Sequence, residues 1–197
     1  LQLGALMTRV DAVVAAHEQY MGTQLERAAV EIRRGRARFT SDYVVEITGV
    51  RGANSIVRGE TIVIATGSRP RNPAEIPIDH SNILDSDSIL SLMYLPASML
   101  VVGAGVIASE YATIFDAIGV KVTMVDSGSR PVSFLDQEIT DRFVASFQRN
   151  GSSFVGGVKV KSMQWDGVSS VVTELDNGQI IATEKALFAL GRMANIE

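Results

Sequence analysis

Ser98-Met-Leu-Val-Val-Gly-Ala-Gly-Val-Ile-Ala-Ser-Glu110, with Val120-Lys-Val-Thr-Met-Val-Asp126 after it, sets the architecture of this chain. It reads as strand, glycine turn, helix and second strand, with a carboxylate at the second strand's end. Met99 to Val102 form an unbroken apolar run, as expected of a strand buried on both faces. Gly103 permits a tight turn, and Gly105 carries no Cβ to keep a pyrophosphate away from backbone N–H groups. Ala108 stands where a small residue lets the helix lie close on the strand. The helix opening there directs its first amides and the positive end of its dipole at the phosphates. Asp126 follows Gly103 at close to the ~20-residue spacing of a carboxylate that accepts from the adenine ribose hydroxyls. A lone G-x-G-x-x-A would equally suit a plain glycine turn. The flanking strand, helix and acid together point to dinucleotide binding.

Composition narrows the rest. A chain of 197 residues fits one large domain or two small ones, and its 46% hydrophobic share suffices for a sizeable core. A formal charge of −4, without a Lys/Arg cluster interleaved with aromatics, argues against nucleic acid and anionic membrane as partners. No apolar stretch approaches the ~18 residues of a membrane span, and the N-terminus lacks the order of a secretory signal. Cysteine is absent, which removes disulfides and thiol chemistry from this chain and suits a cytoplasmic setting. No catalytic triad, metal-spaced cluster or carboxylate dyad stands out, so no catalytic residue is assigned. The chain starts Leu-Gln-Leu, inside a helical pattern, and reads as a piece of something longer.

Outward from the glycine turn, the periodicities divide the chain. Leu6, Val10, Val13, Val14, Met21, Leu25, Ala28 and Ile32 recur at helical steps. As one helix of about 30 residues this would be roughly 45 Å long, so either it breaks near Gly22 or it packs on further protein. Arg36–Thr40, Val44–Thr48 and Ser55–Arg58 read as short strands of a meander. Thr61-Ile-Val-Ile-Ala-Thr-Gly67 reads as a buried strand, whose closing Ala-Thr-Gly would equally suit a plain strand exit, and Ser68 through Pro77 as a linker. Asp85-Ser-Asp-Ser88 supplies caps for a helix at Ile89 and Leu90. Asp136 caps a further helix with Ile139, Phe143 and Phe147 on one face, closed by Asn150-Gly151. Val158–Trp165, Ser169–Leu175 and Gln179–Thr183 form a second meander, with Asp166-Gly167 and Asn177-Gly178 as two-residue turns. Trp165 is a packing residue. Lys185 to Leu190 is a last strand delivering Gly191-Arg192 to the ligand crevice.

The order of these pieces is specific. A three-stranded meander, the Ala65-Thr-Gly67 turn, a linker, Val102-Gly-Ala-Gly-Val-Ile-Ala-Ser-Glu110 and finally Ala189-Leu-Gly-Arg-Met-Ala-Asn195 resemble the pyridine nucleotide-dependent flavoprotein oxidoreductases. The resemblance spans essentially the whole chain, yet only the middle of such a protein. Full members carry an FAD domain with its own glycine fingerprint first and a dimerisation domain last. The implied fold is α/β. Residues 1–77 would be the C-terminal part of an FAD-binding domain, with helix and meander. Residues 78–197 would be a Rossmann-like NAD(P)-binding domain, with a parallel sheet and an antiparallel meander. Within the family, Asp85-Ser-Asp-Ser-Ile-Leu90 and Phe134-Leu-Asp-Gln-Glu138 are most similar to soluble transhydrogenases, which move hydride between NADH and NADP through bound FAD. Dihydrolipoamide dehydrogenase-like disulfide reductases are the near alternative. A non-catalytic NAD(H)-binding module is the alternative of another class, disfavoured by the Ala-Thr-Gly turn.

Carried over by this resemblance, Gly103, Ala104, Gly105, Val106 and Ile107 form the turn and helix start that hold the NAD(P) pyrophosphate. Glu110 lies near the nicotinamide, Asp126 and Ser127 at the adenine ribose, and Gly191 beside the nicotinamide pocket. Thr66 and Gly67 belong to the turn beside the FAD adenosine. Ala108 replaces a commoner glycine and Ala194 a usual proline. Gly128 stands where transhydrogenase-like sequences often carry arginine, leaving Arg130 as the nearest cation to the adenine 2′-position. The implied cofactors are NAD(P) and, in the full-length parent, FAD. That parent would be a cytoplasmic homodimer.

Overall fold

A computed structural model of the chain describes residues 3–196, in which the elements follow the periodicities closely at the centre and depart from them at the edges. Helix α1 spans Leu3–Arg27; strands β1 (Gly35–Ser41), β2 (Val44–Gly49) and β3 (Asn54–Arg58) follow, then β4 (Ser68–Pro70) and β5 (Ile83–Asp85). After a 3-10 turn at Ser88–Ser91 come β6 (Ser98–Val102), α2 (Val106–Ala117), β7 (Lys121–Asp126), α3 (Gln137–Arg149) and β8 (Ser153–Gly156). Strands β9 (Val160–Trp165), β10 (Val171–Leu175), β11 (Ile180–Thr183), β12 (Lys185–Phe188) and β13 (Arg192–Ala194) complete the order. The chain divides into two units, one of Thr8–Thr66 and one running from Gly67 onward together with the start of α1.

In the first unit, α1 does not break near Gly22: it is one helix of 25 residues, about 37 Å long by its rise. A single interior glycine costs about 1 kcal/mol relative to alanine, too little to interrupt a run this rich in Ala, Leu, Glu and Gln. None of its residues is buried. Strands β1, β2 and β3 form the expected antiparallel meander, Phe39 facing Val45 and Val45 facing Val57. The run Thr61–Gly67 is not a buried strand. Apart from Gly67 O at its end, which accepts from Asn195 N–H, it has no backbone pairing among the described residues, and Val63 and Ile64 are 82% and 63% exposed. An apolar run becomes a strand only where a neighbour supplies its ladder hydrogen bonds, and none of the described residues meets residues 61–66.

In the second unit, a five-stranded parallel sheet in the order β5-β12-β6-β7-β8 forms the centre. Alternate residues serve opposite faces. Met99, Val101, Val122, Met124 and Leu187 pack with Ala108, Ala112 and Phe115 of α2 and Phe147 of α3. Leu100, Val102, Val125, Ala186 and Phe188 pack on the other face against Met163, Val171 and Leu175 of the β9–β11 meander. Trp165 packs at the margin of that layer, as its sequence position suggested. Thr173 points a fully buried hydroxyl into the described residues without a hydrogen-bond partner. Thr173→Val keeps the shape and removes that unmet group, so we expect stability to rise by about 1 kcal/mol, read as a higher urea midpoint.

Four further departures share a cause. The meander turns are wider than two residues. Trp165 faces Val171, and the Asp166 carboxylate accepts from the amides of Val168, Ser169 and Ser170 at 2.8–3.0 Å, stabilising a longer loop. At the other turn Leu175 N–H donates to Gln179 O, with Gly178 at φ 83°. Part of the expected linker is strand β4, paired antiparallel with β13. Asp85–Ser88 caps no α-helix: Asp85 ends β5, and its Oδ1 accepts from the amides of Asp87 and Ser88 at 3.1 and 2.8 Å. Burial pushes the Asp85 carboxyl upward, but hydrogen bonds from Ser88, Asn72 and Asp87 prevail and hold it at about 2. Finally, β8 joins the sheet from a segment with no separate strand signal. Each is a three- to six-residue feature that side-chain hydrogen bonds or tertiary pairing decide.

Candidate dinucleotide site

The chain leaves β6 toward β7 and β8 on one side, then returns through the meander to β12 on the other side of β6. A reversal of strand order opens a crevice beyond the carboxyl ends of the strands, where ligands of open α/β sheets bind. Gly103 lies at this point. Its N–H donates to Val125 O at 2.8 Å, and Ala189 N–H donates to Val102 O at 2.9 Å, tying the ends of β6, β7 and β12 together. Its φ is 111°, and a Cβ there would stand 2.7 Å from Ala189 O. Both conformation and space demand glycine.

Gly105 is glycine for a different reason. It caps the N-terminus of α2 with φ −74° and ψ −174°, which any residue adopts, and an added Cβ would meet no protein atom within 4 Å. The protein itself makes no demand for glycine here; the open space lies where a ligand would approach. The first-turn amides of α2, Val106 and Ile107 among them, have no intrahelical acceptor and carry the positive end of the dipole. Ala108 is fully buried against the sheet.

A groove of about 370 Å³ is lined by Gly103, Ala104, Gly105, Val106, Ile107, Asp126, Ala189, Leu190 and Gly191. Seven residues chosen from the sequence therefore meet in one place. Asp126 is half-buried, and its Oδ1 accepts from Gly128 N–H at 2.6 Å, while Oδ2 accepts from none of the described residues. Beyond Asp126 lies a second cavity of about 410 Å³, which Ser127 lines together with Val102, Val125, Val158, Phe188 and Leu190. Its mostly apolar wall was not legible from sequence, because β8, β9 and the loop between them had to fold before Val158 could reach Val125.

Glu110 is exposed on α2 and lines a neighbouring pocket with Ile107, Tyr111 and Arg192. Around that pocket, Arg192 donates from Nη1 to Asp87 Oδ1 at 2.6 Å and Ser86 Oγ at 3.0 Å, and from Nη2 to Ser68 O at 2.6 Å. The Tyr111 hydroxyl donates to Ser86 O at 3.2 Å. Burial, with Asp87 adding to it, holds the Tyr111 phenol above its ordinary range. This clasp fixes the segment after Gly191 to β4 and α2.

Arg130 is not brought to the groove: its Nη2 donates to Ser133 O at 2.8 Å, and it lines neither cavity. Val132, a β-branched residue at φ 40°, is held in that strained conformation as its N–H donates to Ala104 O at 2.7 Å. Thr66 and Gly67 are both exposed, and Gly67 O accepts from Asn195 N–H at 3.0 Å.

With this geometry, the chain matches the pyridine nucleotide-disulphide oxidoreductase family over residues 5–197, and it belongs to that family. It is 34% identical to a soluble pyridine nucleotide transhydrogenase of Colwellia psychrerythraea over 96% of its length. A protein of the same name from Marinobacter nauticus is 39% identical over 87% of the chain. The chain spans 41% and 36% of those relatives. Among solved structures, LpdA of Mycobacterium tuberculosis superposes with a TM-score of 0.92 at 24% identity, over 99% of this chain and 44% of that one. The flavoprotein disulfide reductase RclA of Escherichia coli superposes with a TM-score of 0.83 at 24% identity, over 95% of this chain and 42% of that one. At these identities the structures speak for the fold. They share the expected α/β architecture, parallel sheet and meander included. No helix of the described residues is long and apolar enough to cross a membrane.

Proposed function

We propose that this chain is the nicotinamide-dinucleotide-binding portion of an FAD-dependent oxidoreductase that passes hydride between NAD(P)H and flavin, of the soluble transhydrogenase type. The observation that carries the reading is Gly105, whose missing Cβ leaves open space at the amino end of α2 that no other part of the protein requires. The residues present fit a dinucleotide. The α2 amides suit a pyrophosphate, Asp126 a ribose hydroxyl, and the apolar cavity beyond Asp126 a flat base. Gly191, which lines the groove, and Glu110, which lines the neighbouring pocket, would flank the nicotinamide. Glu110 orients that ring or its ribose and is not required as a base. Val102 and Phe188 exclude water from the base end of the groove.

When bound, FAD supplies the two-electron chemistry. In this reading residues 1–77 contribute the tail of its domain and Thr66–Gly67 lie beside its adenosine. The similarity to the soluble transhydrogenases supports this assignment for the whole protein; a dimeric assembly and a cytoplasmic setting belong to the same proposal.

Asp126 accepts from a 2′-hydroxyl but repels a 2′-phosphate, and Arg130 is engaged by Ser133 O. We therefore expect calorimetric titration of the chain to give at least about tenfold tighter binding of NADH than of NADPH, one charged hydrogen bond's worth. Equal or tighter NADPH binding overturns the Asp126 assignment. In the full-length protein, NADH should bleach the visible flavin absorbance; a protein that binds NADH and holds no flavin would instead be the non-catalytic module.

A further inference from the structure

We infer that Gly156 and Gly128 are positioning residues that set the preference for a nucleotide with a free 2′-hydroxyl, acting through the Asp126 carboxylate. The inference rests on the dinucleotide reading above. Gly156 is the register partner of Asp126 across β7 and β8. Directly after Asp126 the chain turns over the end of β8. Gly157 N–H donates to Gly128 O and Val158 N–H to Asp126 O, each at 3.0 Å. A Cβ on Gly156 would stand 2.9 Å from both Gly128 O and Ser129 O. The loop can lie this low only over a glycine.

Lying there, it brings Gly128 N–H within 2.6 Å of Asp126 Oδ1. A Cβ on Gly128 would itself come within 3.0 Å of that same oxygen. Neither glycine has the left-handed φ that would explain it by backbone conformation; close approach is the reason for both. One carboxylate oxygen is thereby committed to the backbone, and the rotation of the group is fixed before any ligand arrives. Such preorganisation favours a ribose hydroxyl donor, whose acceptor need not be ordered on binding. It keeps the negative charge at the groove's edge, where a 2′-phosphate would meet it. Raising the loop removes the Gly128 donor and frees the carboxylate to turn away.

The test titrates the full chain, Gly156→Ala and Gly128→Ala with NADH and NADPH by calorimetry, with thermal melts alongside. Each variant should lose about tenfold in NADH affinity, the worth of one charged hydrogen bond, while NADPH affinity stays within about twofold. The NADH-to-NADPH ratio therefore narrows, which a merely structural role would not produce. Equal weakening of both nucleotides, or an unchanged ratio, overturns the inference. Should Gly156→Ala fail to fold, Gly128→Ala decides, since its Cβ presses chiefly on a movable carboxylate. An unsubstituted chain that binds neither nucleotide removes the dinucleotide reading and this inference with it. Normal binding with an unchanged ratio in the variants removes this inference alone.

Discussion

Gly105→Val should leave the chain folded and weaken dinucleotide binding by at least about 100-fold, the equivalent of losing two charge-assisted backbone hydrogen bonds. The position has an ordinary backbone conformation, and an added Cβ meets nothing within 4 Å, so the first carbon of a larger side chain is not crowded by the fold. The expected cost to the fold is limited to the poorer N-cap, about 1 kcal/mol. The branched carbons of valine would occupy the approach to the amides of Val106 and Ile107. Calorimetric titration with NADH beside a thermal melt separates the two effects. A variant that binds NADH like the unsubstituted chain would place the phosphate loop elsewhere.

Gly103→Ala should fail in the opposite way. Two penalties add at one atom: a φ of 111°, which L residues rarely adopt, and a Cβ only 2.7 Å from Ala189 O. That carbonyl belongs to the segment leaving β12, which the Ala189–Val102 hydrogen bond pins to β6, so it cannot retreat without loosening the sheet. Strain and overpacking together should destabilise the second unit by roughly 2–4 kcal/mol, seen as a lower urea midpoint and earlier loss of near-ultraviolet circular dichroism. Binding would fall only as the folded fraction falls. A Gly103→Ala chain of undiminished stability would mean that the turn adopts another conformation. On these expectations, two glycines two residues apart in one motif answer to different demands, one to the fold and one to the proposed ligand.

The legible part of the site was its local part. The run Met99–Val102, the glycines after it, the α2 pattern and the acid at the end of β7 all lie within one strand–helix–strand unit, where neighbours in sequence are neighbours in space. Asp136 as a cap, accepting from Glu138 N–H at 2.8 Å, and Gly151 closing α3 at φ 89° belong to the same category. Arg130 could be counted as a nearby cation, but only the folded loop shows its guanidinium turned to Ser133 O. Gly156 gave no sign of importance in the sequence, since what makes it matter is two carbonyls that reach it from the loop after β7.

Sequence by itself determined the parallel α/β core, the second meander and the glycine turn that opens α2, because apolar periodicity, turn glycines and helix caps act over a few residues. Tertiary structure alone decided the remainder. Short strands such as β4, β5, β8 and β13 exist only through their partners. Residues 61–66 carry an equally good strand pattern and stay mostly exposed without one. The Arg192 clasp joins Ser68, Ser86 and Asp87 from distant segments. A three-residue strand gains too little from its own conformational preference to offset the entropy of ordering it, so its fate rests with whichever strand the fold brings alongside.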